Sequence, residues 1–202
     1  MEEQLSHEDN KRIQDGIREK YLKVAVDPEG HFRYPTGRAG LEMLGYPVGP
    51  VKELPESVAS SYCGVGNPFF LGEIKEGSAV LDVGCGAGVD AILAAKLVGP
   101  SGRVVGIDLV SEMLDRAQKN LQLTELQNVS FIEASSEKLD FPDETFDAVI
   151  SNGVFNLLPN KRRCLAEAFR LLKPGGRLMI ADQVLVGEVQ KSLAARIDTW
   201  FQ

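Results

Sequence analysis

The sequence predicts an α/β fold of the doubly wound kind, a parallel sheet with helices on both faces. Three observations predict it. From Ala79 onward, short apolar strands alternate with amphipathic helices, the order that right-handed crossovers turn into a parallel sheet. A glycine-rich turn, Gly84 to Gly88, hands the first of these strands to a helix. The 202 residues, 44% hydrophobic and 25% charged, are enough for one globular domain of the common size and unlike a disordered or fibrous chain.

The elements follow in order. Ile13, Ile17, Tyr21 and Val24 share one helical face between His7 and Val24. Asp27-Pro28-Glu29-Gly30 reads as a turn. Gly37 to Leu44 reads as a short helix that Gly45 and Pro47 end, and Pro50 and Pro55 keep the next stretch extended. Glu56 to Tyr62 is a further short helix, broken by Gly64-Val65-Gly66-Asn67-Pro68. Ala79 to Val83 is a buried strand, and an Ala- and Leu-rich helix runs from Asp90 to Val98. Val104 to Ile107 is the second strand, ending at Asp108, and Ser111 is placed to cap a helix reaching about Leu121. Val129 to Ile132, Phe146 to Ser151 and Arg177 to Ala181 supply strands three to five. A helix from about Lys161 to Leu172 precedes the fifth, closed by Lys173-Pro174-Gly175-Gly176, and Ile197 to Gln202 falls in a following helix. The texture divides the chain into residues 1–77, short helical pieces broken by Gly and Pro, and residues 78–202, apolar strands alternating with amphipathic helices.

Charge narrows the function. Lys plus Arg number 22 against 29 Asp plus Glu, a net charge of -7, which disfavours nucleic acid and anionic membranes as partners. No apolar run approaches a membrane-spanning helix. The acidic, polar start MEEQLSHEDNKR is unlike a secretory signal. Cys63, Cys85 and Cys164 show no CxxC spacing, so neither a metal site nor a disulfide framework is expected and a reducing cytoplasm is the natural setting. His7 and His31 are the only histidines. His31 is the one imidazole base on offer, or a surface-turn residue.

The sharpest motif is Asp82-Val83-Gly84-Cys85-Gly86-Ala87-Gly88 at the strand-to-helix junction. Glycines there permit a sharp turn and a close ligand approach, and the helix start presents free N–H groups. Asp108, ending the next strand, can accept both hydroxyl protons of a ribose. A dinucleotide would prefer G-x-G-x-x-G with its third glycine at residue 89, which is Val. The observed D-x-G-x-G-x-G, with Asp82 two residues before the first glycine, resembles class I S-adenosylmethionine-dependent methyltransferases instead. A nicotinamide-dependent oxidoreductase and a non-catalytic S-adenosylmethionine-binding module stay open beside that reading.

Further segments carry the resemblance. Phe131 to Leu139 is similar to the stretch after strand three that holds the adenine in these enzymes, and Leu172 to Leu178 to their turn into strand five. Val149 to Leu157 with Pro159 to Arg163, Ile17 to Tyr21, and Gly64 to Pro68 resemble the arsenite methyltransferase family, tightest from Glu56 to Val184. The resemblance implies a Rossmann-like methyltransferase fold with strand order 3-2-1-4-5. The antiparallel strands that close the family's sheet after strand five are expected to be absent from residues 78–202. It also implies S-adenosylmethionine as cofactor, S-adenosylhomocysteine as product, and a small-molecule methyl acceptor. Asp82 would contact the methionine amino group and Asp108 the ribose, with Gly84, Cys85, Gly86 and Gly88 forming the turn. Leu109 would line the adenine pocket beside Ile107, and Met113 is assigned to the same site or to the helix core. Ser135 and Ser136 would read the adenine edge. Asn152 would offer its carbonyl to the cofactor amine or its side chain to the substrate. Tyr34, Tyr62 and Asn156 are assigned to the substrate, and the aromatic-rich residues 1–77 to a lid. No catalytic residue is singled out, because the methyl group arrives already activated.

One departure matters. The family holds trivalent arsenic with cysteine thiolates, which suit a soft metalloid. Two of those cysteine positions are Val65 and Gly153 here. The third lies beyond Gln202, so an acceptor other than arsenite is expected. The chain is expected to be a shortened form whose open sheet edge is covered by missing residues or by a second copy in a homodimer.

Overall fold

The structure, a computed structural model, describes residues 5–184 together with Val186 and Trp200. Its elements are α1 (His7–Val26), α2 (Gly37–Met43), α3 (Val48–Lys52), α4 (Glu56–Ala59), a 3₁₀ turn (Pro68–Leu71), β1 (Ala79–Val83), α5 (Val89–Val98), β2 (Arg103–Asp108), α6 (Ser111–Gln122), β3 (Val129–Glu133), β4 (Phe146–Asn152), α7 (Lys161–Leu171) and β5 (Leu172–Ala181). The five strands form one sheet in the order β3-β2-β1-β4-β5, every neighbouring pair parallel. The expected doubly wound topology is therefore what the chain adopts.

Burial explains the composition of each element. β1 lies at the centre and is buried at all five residues, so it reads as an unbroken apolar run with one exception, Asp82. α5 is apolar all round, with eight buried residues. Such a helix needs cover on every side, and it has it. Val89, Ile92 and Leu93 pack with Leu41, Tyr46, Val51, Val58 and Tyr62 from the N-terminal helices. Ala91, Ala94, Ala95 and Val98 pack with Val80, Val104 and Ile150 of the sheet. The other face of the sheet carries Leu81, Val105, Val149 and Phe146 against Cys164, Ala168 and Leu171 of α7. Residues 37–62 thus share a core with the sheet layer.

Three expectations change. Val48 to Lys52 is a helix, α3, where an extended segment is predicted. Pro50 falls in its first turn, where no N–H is needed and the fixed φ already suits a helix. Ser111 is the first residue of α6 and not its cap, which is Val110. The amide of Val110 is instead satisfied by Asp108 Oδ1 at 2.9 Å, while the Ser111 hydroxyl meets Glu112. The Lys173–Gly176 turn lies inside β5 as an irregularity. Pairing runs from Phe146–Leu172 to Ala148–Arg177, so β5 bulges by three residues, with Gly175 at φ 77°. The helix predicted over Ile197–Gln202 lies outside the described residues apart from Trp200, which stands in a turn. Among the described residues no helix is long and apolar enough to cross a membrane.

Candidate functional site

The strand ends at one edge of the sheet build a cavity of ≈ 400 Å³. Its floor is the turn after β1. Gly84 and Gly86 have φ of 70° and 51°, a left-handed backbone that other residues rarely adopt. A Cβ on Gly84 would overlap Val154. The amides of Gly84 and Cys85 donate to Ile107 O at 2.8 and 2.9 Å, which folds the turn back onto β2. Gly86 N–H donates to Asp108 Oδ2 at 2.9 Å. The strand-end acid therefore pins the turn with one oxygen and the start of α6 with the other. Burial raises the pKa of Asp108, opposed by the amides of Val110, Gly86 and Leu109.

Asp82 is 1% exposed and lines the same cavity, and among the described residues its Oδ2 has no hydrogen-bond partner. A buried orphan carboxylate oxygen is costly, and β1 carries it where an apolar residue would pack better. Burial, then the neighbouring carboxylates Asp90 and Asp108, push its pKa well above the usual range.

A polar cluster that the sequence did not reveal stands beside Asp82, with Asp90, Asn152 and Tyr62 in the wall of the same cavity. Asp90, 8% exposed, accepts from Tyr46 Oη at 2.7 Å and from Asn152 Nδ2 at 2.9 Å. Burial pushes its pKa up to about 6, with those two donors opposing. Asn152 Oδ1 accepts from the amides of Val65 and Gly66 at 2.9 and 3.1 Å. Its Nδ2 also reaches Gly66 O, Tyr46 Oη and Tyr62 Oη. The Asn152 side chain is thus spent on fastening residues 65–66 to the end of β4. Tyr62, 2% exposed, is tied by its hydroxyl to Gly66 O at 2.8 Å. An acid in the first turn of a helix is ordinary in sequence because it complements the dipole, so nothing marked Asp90 out before its burial was seen.

The remaining predicted residues divide between two places. Cys85, Leu109, Met113, Ser135 and Ser136 line the cavity, as does Ile107. Met113 is 1% exposed with its Cε beside Gly86, while Leu109 is 45% exposed. Ser136 Oγ meets Cys164 Sγ at 3.3 Å, and Ser135 Oγ accepts from Glu137 N. Gly88 is outside the lining. It is the N-cap of α5 at φ 79°, and a Cβ there would strike Phe131 and Ala117. Tyr34 and Asn156 lie in a second cavity of ≈ 520 Å³, which shares Tyr21, Gly153 and Leu157 with the first. Val65 and Gly153 are adjacent: a Cβ on Gly153 would come 3.2 Å from Val65 Cγ1.

The thiols are all held protonated. Burial raises Cys85 well above its ordinary pKa, pushes Cys63 up to about 12 and raises Cys164. Among the described residues no group of three or more His, Cys, Asp and Glu could hold a metal ion.

A family model described as a methyltransferase domain matches residues 74–202. An arsenite methyltransferase of Halobacterium salinarum is 34% identical over 197 residues, covering 91% of this chain and 50% of its own length. A ubiquinone/menaquinone biosynthesis C-methyltransferase of Pasteurella multocida is 38% identical over 110 residues, 54% of this chain and 41% of its own. Among solved structures, an arsenic(III) S-adenosylmethionine methyltransferase from Chlamydomonas reinhardtii superposes with a TM-score of 0.56 at 36% identity. That match covers 74% of this chain and 50% of the other. The chain spans half or less of the length of these relatives.

Proposed function

This chain belongs to the methyltransferase-domain family, and from that premise we propose that it uses S-adenosylmethionine to methylate a small molecule, releasing S-adenosylhomocysteine. The observation that carries the reading is Asp82, which lines the same cavity as Asp108 and the glycine turn and whose buried Oδ2 has no hydrogen-bond partner among the described residues. A ligand with an ammonium group would satisfy that oxygen, and one with a ribose would find the remaining lone pairs of Asp108. The cofactor supplies a methyl group already activated on a sulfonium.

The chain's own residues hold and orient. Gly84 and Gly86 leave the turn free of side chains beside the cavity. Ile107, Leu109 and Met113 give the adenine end an apolar wall, with Ser135 and Ser136 at its rim. Asn152 fastens residues 65–66 with its side chain and lines the first cavity, where its backbone carbonyl would meet the cofactor amine, and Gly88 packs behind the turn. Residues 1–77 serve as the lid, with α1 contributing Ile17, Arg18 and Tyr21 to the first cavity. Alignment of two reactants can by itself account for roughly 7–11 kcal/mol of a barrier, so no general base is required of this chain.

The acceptor is not arsenite in this reading. The two family cysteine positions are brought together in space, and here they hold Val65 and Gly153, which offer a metalloid nothing to bind. The second cavity, with Tyr34 and Asn156 in its wall, is the place for the acceptor, and Tyr62 supports the wall without facing it. A second copy against the outer edge of β5, a cytoplasmic setting and indifference to nucleic acid belong to the same proposal. Sedimentation at varied concentration tests the first of these.

Calorimetry with S-adenosylmethionine and with NAD decides the cofactor. Tight binding of the former alone is expected, and binding of NAD alone would sink the proposal. Formation of S-adenosylhomocysteine with candidate acceptors, arsenite plus thiol among them, separates an enzyme from a binding module. Methylated arsenic from the unaltered protein would overturn the argument from Val65 and Gly153.

A further inference from the structure

The wall of the first cavity is acidic. Asp15, Asp82, Asp90, Asp108, Glu133 and Glu137 line it, and Arg18 is the one Lys or Arg among the described lining residues. Three of these acids come from elements packed on one another, Asp82 from β1, Asp90 from α5 and Asp108 from the end of β2. Their hydrogen bonds differ. Asp108 accepts from the amides of Gly86 and Val110, one on each oxygen. Asp90 accepts from the Tyr46 hydroxyl on Oδ1 and from Asn152 Nδ2 on Oδ2. Those two are wired to hold a negative charge. Asp82 is the exception, because its buried Oδ2 has no partner among the described residues.

Close carboxylates relieve their repulsion by keeping a proton. The proton goes where ionisation is least supported. On Asp90 it would compete with the O–H and N–H groups already pointed at both oxygens. On Asp82 Oδ2 it meets no such donor, and a buried oxygen without a donor costs less neutral than charged. Burial first, then Asp90 and Asp108, raise Asp82 well above the ordinary carboxylate range, with the amide of Ala91 opposing. The other titratable neighbours are Tyr21 on α1, Tyr46, Tyr62, Cys63 and Cys85. Burial pushes all five up, so they stay neutral and do not compete for the charge.

We propose that Asp82 carries a proton in the cofactor-free protein and that the ammonium group of the arriving cofactor displaces it, so that binding releases a proton to solvent. The carboxylic acid becomes a carboxylate. The ligand ammonium keeps its own protons and donates a hydrogen bond to Oδ2, and the displaced proton passes to the buffer. The release rests on the proposed S-adenosylmethionine site; the protonation of Asp82 in the free protein does not. Cofactor affinity then climbs with pH, by about tenfold per unit while Asp82 is protonated in the free state, and levels off above that.

Calorimetry counts the proton. S-adenosylhomocysteine carries the ammonium group of the cofactor, and methylthioadenosine lacks it. Each is titrated into the full chain at about pH 7, where Asp90, raised to about 6, is already ionised. The titrations are run in phosphate and in Tris, whose ionisation enthalpies differ. The change of heat between buffers should correspond to about one proton released with S-adenosylhomocysteine and to none with methylthioadenosine. Asp82→Asn should remove the release, with a melt to show that the fold is kept. A heat of S-adenosylhomocysteine binding that is the same in both buffers, or a release that survives in folded Asp82→Asn, overturns the proposal. If neither ligand binds, the S-adenosylmethionine reading fails. The side-chain carboxyl carbon resonance of Asp82 in the free protein, assigned by its loss in Asp82→Asn, then decides. A protonated carboxyl at about pH 7 supports the proposal, and an ionised one overturns it.

Discussion

Three carboxylates around the first cavity do different work. Asp108 has both oxygens engaged by Gly86 and Val110, so it organises the turn before any ribose arrives. Asp108→Ala should weaken S-adenosylmethionine binding more than tenfold by calorimetry, and an unchanged dissociation constant would move the ribose site elsewhere. Asp90 is raised to about 6 by burial. A carboxyl with a raised folded-state pKa adds stability at low pH and loses it as pH climbs through the folded value. For Asp90 the window runs from the ordinary 3.8 to about 6, and the loss is on the order of 3 kcal/mol. Urea unfolding of cofactor-free protein should therefore show Asp90→Asn gaining on the parent by roughly that amount between pH 4 and above pH 6. A constant difference across that range would mean the Asp90 pKa is ordinary. Of these residues the sequence marked Asp82 and Asp108, because each sits at a fixed offset from the glycines. Asp90 was invisible because its role depends on Tyr46 and Asn152, which are distant in the chain.

Elements are joined by few side chains. Asn152 ties β4 to residues 65–66 and to Tyr46, Tyr62 and Asp90. Removing it strands two amides and leaves Asp90 with one donor fewer. Asn152→Ala should destabilise the protein by about 3 kcal/mol or more in urea titration. A loss below about 1 kcal/mol would show that water replaces the amide without penalty. The strands and the long helices α5, α6 and α7 were legible in the sequence because their periods are set by burial. The short N-terminal pieces were less so. α3 was hidden by Pro50, since a proline reads as a helix breaker unless its place in the first turn is known. The cap of α6 was hidden because Asp108 serves it from the preceding strand.

At the scale of the molecule, the fold brings residues 65 and 153 side by side, although 87 positions separate the neighbouring pair that Asn152 joins to Val65. Introducing Val65→Cys together with Gly153→Cys should create a thiol pair that binds arsenite, read as a change in Trp200 emission that the parent lacks. Gly153 has φ 72°, so the Gly153→Cys change carries a strain of about 1–2 kcal/mol, and a melt run alongside checks that the fold survives. No emission change in a folded double variant would show that the two positions do not face a common ligand. By itself the sequence determined the strands, the helices between them and the glycine turn, and through the family resemblance the strand order. Local periodicity, glycine placement and strand-end acids are written in neighbouring residues. Only the tertiary structure decided that Asp82 keeps an oxygen unpartnered among the described residues, that the Asn152 side chain fastens residues 65–66, and that a second cavity opens beside the first. Burial, hydrogen-bond pairing and local potential are properties of residues far apart in the chain, and they exist only once the packing has brought those residues together.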